Sequence, residues 1–217
     1  MRSKFLKMNF VIFILLLVFI VGCATQENTT QLKELSKVEI KEYQGQKLDS
    51  MADVRDVSID GPQYINISTY RLEVTGLVDA PKNYTYDEVL LHQKYSKVVD
   101  LHCTEGWSAT VLWEGVLLKD LFDDVKVKPE ANTVIFYAVD GYTTSLPLDY
   151  VLKNNIILAD KINNVTLVPE RGYPFELVAE NKLGYKWIKW VNRIELSSNS
   201  SYAGYWESNG YSNSGDI

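Results

Sequence analysis

Residues 98–121, VVDLHCTEGWSATVLWEGVLLKDL, decide how this chain is read. A β-rich run at 98–101 delivers the chain to His102 and Cys103. Two of the five tryptophans, Trp107 and Trp113, follow closely. Residues 113–116 read as a glycine-containing turn, and 117–122 as a short amphipathic helix. The central question is the purpose of Cys103.

The chain has two cysteines, and the other is Cys23. Arg2, Lys4 and Lys7 precede an unbroken apolar run at 10–21, which has the length of a signal h-region rather than of a comfortable membrane span. Ile20-Val21-Gly22-Cys23 then looks like a lipobox, in which the cysteine is lipidated after cleavage. The expectation is a lipoprotein signal peptide at 1–22, a flexible tether at 23–50 and one domain at 51–217. The protein is then exported, held to the cell membrane by acyl chains on Cys23 and facing away from the cytoplasm. The tether is polar, although Leu32, Leu35 and Val38 provide for a short helical turn. With Cys23 lipidated, Cys103 has no intrachain disulfide partner. Burial, pairing between chains and use as a ligand are the open explanations.

A net charge of −6 argues against nucleic acid and favours a soluble surface or a neutral to cationic partner; a small-molecule substrate and a membrane or soluble redox partner are the expectation. Residues 70–77 alternate like a half-buried strand, and Thr85 is placed to cap a helix with Asp87 and Glu88 in its first turn. The apolar run at 133–139 reads as a central strand ending at the Asp140-Gly141 turn, before another strand at 142–146. A helical turn at 148–152 and strands at 156–159, 167–168 and 175–178 follow, and 187–196 reads as the last long strand. Many short strands with a few short helices indicate an α+β fold rich in antiparallel sheet. The tail, 197–217, is Ser-, Asn- and Gly-rich, but Tyr202, Tyr205, Trp206 and Tyr211 are expected to anchor it to the domain. The sequons at Asn28, Asn66, Asn83, Asn164 and Asn199 match by composition alone.

With only His92 and His102, and no C-x-x-C pair, a multi-histidine or all-cysteine zinc site is excluded. No G-x-S-x-G elbow, P-loop or dinucleotide fingerprint is present. A Cys–His nucleophile needs a base, and in extended backbone His102 and Cys103 point to opposite faces. A thiolate for a soft metal, with its remaining ligands from an organic cofactor, suits a lone cysteine. Lys182, Lys186, Lys189 and Arg193 are cations available to such a cofactor. Solvated strand positions are the alternative for them, and Tyr142 is a candidate for the pocket wall.

LHCTEGW followed by WEGVLLKDLF resembles the cysteine segment of the sulfite-oxidase-like molybdopterin oxidoreductases. VDGYTTSLPL (139–148), LVPERGYPFELV (167–178) and GYKWIKWVNRIEL (184–196) extend the likeness in register. The resemblance implies that fold, with Cys103 as the catalytic-centre thiolate ligand of molybdenum beside the pterin dithiolene. It implies that Trp187, Ile188 and Lys189 meet the cofactor phosphate and that Arg171 lies near it. It further implies oxygen-atom transfer at a sulfur centre, with Glu105 and Trp107 shaping the cysteine loop. Methionine-sulfoxide-reductase-like members read N-G-x-P-x-R where this chain has Arg171 and Glu176 at the first and last of those positions. The leader Arg2-Ser3-Lys4-Phe5-Leu6-Lys7 resembles a twin-arginine signal without its second arginine. Those departures define the alternative, a cofactor-free binding module on the same scaffold.

Overall fold

A computed structural model describes residues 32–217; the expected signal peptide at 1–22, the lipidation site Cys23, the tether as far as 31 and Asn28 lie outside the described residues. The chain divides into a unit ending at Glu39 and a second running Ile40–Ile217. In the first, residues 32–35 form the helical turn that Leu32, Leu35 and Val38 foreshadow. The second starts at Ile40, so the domain boundary expected at 51 moves toward the N-terminus. Glu42–Tyr43 (β1) and Gln46–Lys47 (β2) pair as a hairpin, Leu48 and Met51 are buried, and the Asp49 N–H donates to Thr110 O at 2.8 Å. Polar composition concealed Leu48, which lies in the stretch expected as tether.

Two five-stranded sheets make up the domain. One has the order β4-β3-β12-β7-β8, from Leu72–Gly76 (β3), Lys82–Tyr84 (β4), Thr133–Ala138 (β7), Thr143–Pro147 (β8) and Val191–Ser197 (β12). β12 runs parallel to β3 and antiparallel to β7, which gives the apolar 133–139 run the internal place expected for it. The other is built on a long hairpin, Lys94–His102 (β5) with Ser108–Leu117 (β6). Ile157–Ile162 (β9) pairs with β6, and Val165–Thr166 (β10) and Glu176–Val178 (β11) both pair with β9.

Helix α1, Tyr86–Leu90, starts at Thr85 with the reciprocal bonds of a capping box between Thr85 and Glu88. Helix α2, Leu118–Val125, buries Leu118, Leu121, Phe122 and Val125 and packs against β3 and β6, joining the two sheets. Helix α3, Leu148–Lys153, follows β8, and α4, Tyr205–Ser208, lies in the tail.

Three expectations need correction. Residues 113–116 continue strand β6 through a bulge at Glu114-Gly115. A Cβ on Gly115 would lie 2.1 Å from Leu158 O, so this glycine admits the backbone of β9 instead of marking a turn. Residues 167–168 are not a strand; they lead into a 3₁₀ turn at Pro169–Arg171. The last long strand starts at Val191, not at 187, after a 3₁₀ turn at Gly184–Lys186 and a left-handed Trp190 with φ 55°. The segment between is bonded elsewhere: Leu177 N–H donates to Ile188 O, Val139 N–H to Trp190 O, and Trp190 Nε1 to Pro169 O. Apolar side chains there are buried in succession, so periodicity could not separate them from a strand.

Candidate active site

The β5–β6 hairpin closes through residues 103–107. The Cys103 N–H donates to Trp107 O at 2.9 Å and the Gly106 N–H to Cys103 O at 3.1 Å, a turn that leaves Cys103 half-buried at its tip. The Glu105 N–H donates to Cys103 Sγ at 3.5 Å. Behind the turn, His102 bridges Leu183, and a Cβ on Gly184 would meet the Cys103 Cα at 3.4 Å. Glycine there lets this segment lie against the backbone of His102 and Cys103.

A cavity of about 280 Å³ opens beside this turn. Cys103, Glu105 and Trp107 form one wall. The 3₁₀ turn and β11 contribute Glu170, Arg171 and Glu176, and the segment before β12 contributes Tyr185, Trp187, Lys189 and Trp190. Arg55 and its neighbours in the 54–59 segment, Asp140, Tyr142, Trp206 and Tyr211 also line it.

Charge is unevenly balanced within it. Lys189 Nζ is ion-paired with Asp56 and lies 4.5 Å from the centroid of the Trp190 ring. Arg171 is buried, with Nε donating to Met51 O at 3.1 Å and Nη1 to Glu170 O at 3.1 Å. Burial lowers its pKa from the ordinary guanidinium range, against the attraction of Glu176. Glu176 is itself buried, and desolvation raises its pKa to about 8 despite the opposing charges of Lys189 and Arg171. Burial also raises Asp140 above the usual carboxylate range. The Trp107 indole N–H is buried without a partner, a donor left available in the cavity wall.

Of the residues singled out by sequence, Cys103, Arg171, Trp187 and Lys189 line one cavity, together with Glu105, Trp107 and Tyr142. Ile188 does not; it is 1% exposed, and its carbonyl accepts the Leu177 N–H at 2.9 Å. Lys186 is fully buried against Glu207, Lys182 pairs with Asp216, and Arg193 stacks on Tyr137, its guanidinium carbon 3.6 Å from the ring centroid. His92 sits beside Tyr84 and Asp124, and neither histidine lines the cavity, which removes the base that a Cys–His hydrolase needs. Asp56, Trp206 and Tyr211 carried no sequence signal for the site; Asp56 is 133 residues from the lysine it meets. Among the described residues, no three His, Cys, Asp or Glu side chains gather as a metal site, so any metal here needs ligands beyond the protein.

The donor set fits a molybdopterin. It offers one soft thiol, an arginine and a lysine suited to a phosphate, and an orphan indole N–H, all on one cavity. Comparisons agree. The chain is 37% identical over 158 residues to the uncharacterized oxidoreductase YuiH of Bacillus subtilis (strain 168), covering 72% of this chain and 79% of that protein. It is 33% identical over 152 residues to the putative protein-methionine-sulfoxide reductase subunit YedZ1 of Azospira oryzae, covering 70% of this chain and 58% of that one. The sulfane dehydrogenase SoxCD from Paracoccus pantotrophus superimposes with a TM-score of 0.61 at 26% identity, covering 64% of this chain but only 40% of that chain. These likenesses confirm the α+β, sulfite-oxidase-like fold and set aside the cofactor-free module. With the model of the oxidoreductase molybdopterin binding domain matching residues 59–206, the chain belongs to that family: it is an oxidoreductase whose cofactor is molybdenum–molybdopterin.

Proposed function

We propose that this protein transfers an oxygen atom at a sulfur centre, with molybdenum held by Cys103, and that it works outside the cytoplasm on a lipid anchor at Cys23. The observation that carries the reading is the presence of Cys103, Arg171 and Lys189 on one cavity. The cofactor supplies two-electron oxygen-atom-transfer chemistry when bound, and the protein supplies position and electrostatics. Cys103 is the protein's ligand to the metal, on a turn that aims a backbone N–H at its sulfur. Arg171, Lys189 and the backbone around Trp187 grip the phosphate, Lys189 exchanging Asp56 for it. Glu176 holds the position at which the methionine-sulfoxide-reductase-like pattern N-G-x-P-x-R has its arginine. With its pKa raised to about 8 by burial, its protonated form would offer the phosphate a hydrogen-bond donor in place of a negative charge.

In the reductive direction, an S=O bond breaks, two electrons arrive from an external redox partner and two protons from solvent, and the oxygen leaves as water. Two relatives named for work on protein methionine sulfoxide and on sulfane support sulfur as the reacting centre. The leader and lipobox at 1–23 support export and tethering. Among the described residues, no helix is long and apolar enough to cross a membrane.

The decisive measurement is the molybdenum content of purified Cys103→Ser. A loss of at least about tenfold against wild type is expected, with the fold retained because this thiol is only half-buried. Molybdenum that stays at the wild-type level would refute ligation by Cys103. For the anchor, Cys23→Ser is expected to move the protein from the membrane fraction to the soluble fraction.

A further inference from the structure

Residues 207–217, ESNGYSNSGDI, follow the family match and add little to the core; of 211–217 only Gly215 is buried. Ordering so polar a segment costs chain entropy, so where its bonds go matters. They converge on residues 182–186. Tyr185 Oη donates to Ser212 O at 2.6 Å, and the Leu183 N–H donates to Gly215 O at 2.8 Å. Lys182 pairs with Asp216, while Lys186 pairs with Glu207 and donates to Asn213 Oδ1 at 3.4 Å. Gly215, at φ 62°, has no room for a side chain, since a Cβ there would lie 2.6 Å from Lys186 Cγ.

Residues 182–186 in turn hold what faces the cavity. Leu183 bridges His102, the residue before Cys103, while Lys182 bridges Asp216. A Cβ on Gly184 would meet His102 O at 3.3 Å and Cys103 Cα at 3.4 Å. The Lys182 carbonyl accepts the Trp187 indole N–H at 2.9 Å. Gly184, Tyr185, Trp187 and Lys189 all line the cavity. One short segment is therefore joined to the thiol's turn, to the tail and to the cavity wall at once.

We infer that the end of the tail is a clamp for the cofactor: residues 212–216 hold 182–189 against the Cys103 turn and so set how slowly molybdopterin leaves. This rests on the grip proposed above for Cys103 and the 187–189 segment. None of residues 212–216 lines the cavity, so they are positioning residues that act through 182–186. The physical basis is local opening. A segment held mainly by exposed backbone bonds opens at a fraction of the global unfolding free energy, and a bound group escapes through that opening. Fixing the segment beforehand also lowers the ordering cost of binding. Linkage makes the effect reciprocal, so the bound cofactor steadies the tail as much as the tail steadies the cofactor.

The test is molybdenum release from the holoenzyme during dialysis well below its unfolding temperature, beside hydrogen exchange of the Leu183 amide. Gly215→Val, which forces the tail out of its seat, is expected to release molybdenum about tenfold faster than wild type. Asp216→Lys, which sets a like charge against Lys182, is expected to release it about threefold faster, and Asp216→Glu at the wild-type rate. Val74→Ala, in the buried core of β3 and outside the cavity lining, lowers the unfolding temperature without quickening release. In wild type the Leu183 amide exchanges more slowly with the cofactor than without it, and Gly215→Val abolishes that difference. Wild-type release from both Gly215→Val and Asp216→Lys would overturn the clamp. So would equal quickening by Val74→Ala, or Leu183 exchange indifferent to the cofactor. Wild-type molybdenum retention in Cys103→Ser and Lys189→Met would instead refute the grip on which the clamp rests.

Discussion

Lys186 and Lys189 stand three residues apart in one segment, and the fold gives them opposite work. Lys186 is 0% exposed, donates to Ser145 O at 3.0 Å and pairs with the equally buried Glu207. Burial pushes its ammonium below the ordinary lysine range, against the hydrogen bond and charge of Glu207. Lys189 sits at the cavity with its side chain 12% exposed, and its partner Asp56 is 25% exposed. A buried pair cannot surrender one member without stranding the other, whereas a pair at a cavity wall can exchange its partner for a ligand. The first lysine locks the tail, and the second is available to the cofactor.

Lys186→Met is the strongest way to break this contrast. It strands the Glu207 carboxylate and is expected to destabilise the protein by about 3–5 kcal/mol in denaturant unfolding. Glu207→Leu on that background restores much of the loss, since an apolar pair leaves no buried charge. A loss below about 1 kcal/mol would make Lys186 as dispensable as a surface cation.

Glu176, the acid beside Lys189, sharpens the comparison through pH. Its pKa rises from the ordinary 4.5 to about 8 on folding, so the folded state holds the proton more tightly than the unfolded state. Stability from this group is therefore full below about 4.5 and falls as pH rises to about 8, at up to about 1.4 kcal/mol per pH unit. Glu176→Gln is expected to flatten that decline, so the variant gains on wild type as pH rises through the window. Parallel Tm-against-pH curves for the two proteins would contradict a buried neutral acid.

Lys189→Met should have the smallest effect on stability, below about 1 kcal/mol, because its pair with Asp56 is accessible to solvent. Its effect belongs to the cofactor, as lower molybdenum retention in dialysed protein. Retention equal to wild type would remove Lys189 from the phosphate grip. Loss of stability comparable to Lys186→Met would erase the contrast.

Several elements could be read from the residues. Thr85 specified a helix start with Asp87 and Glu88 in the first turn, and the helix begins there, with a capping box between Thr85 and Glu88. The apolar run near 133 specified an internal strand, because a chain buried on both faces needs no alternation. The aromatic residues of the tail forecast its packing, and Trp206 and Tyr211 carry it to the cavity wall. Local sequence failed where the deciding contact was distant. Gly115 looked like a turn because the approach of β9 is invisible locally. Residues 187–190 looked like a strand because their burial on several sides mimicked one.

The site divides along the same line. Cys103 and Lys189 were among the candidates that residue type offered, and the family resemblance added Arg171 and the shaping of the cysteine loop. Only tertiary structure decided which cations face the cavity, because Lys182, Lys186, Lys189 and Arg193 are chemically equivalent until their surroundings differ. It alone brought Asp56 to Lys189 and the tail rings to the cavity. Sequence specifies what each side chain can do, and packing at long range sets which neighbours, charges and water it meets.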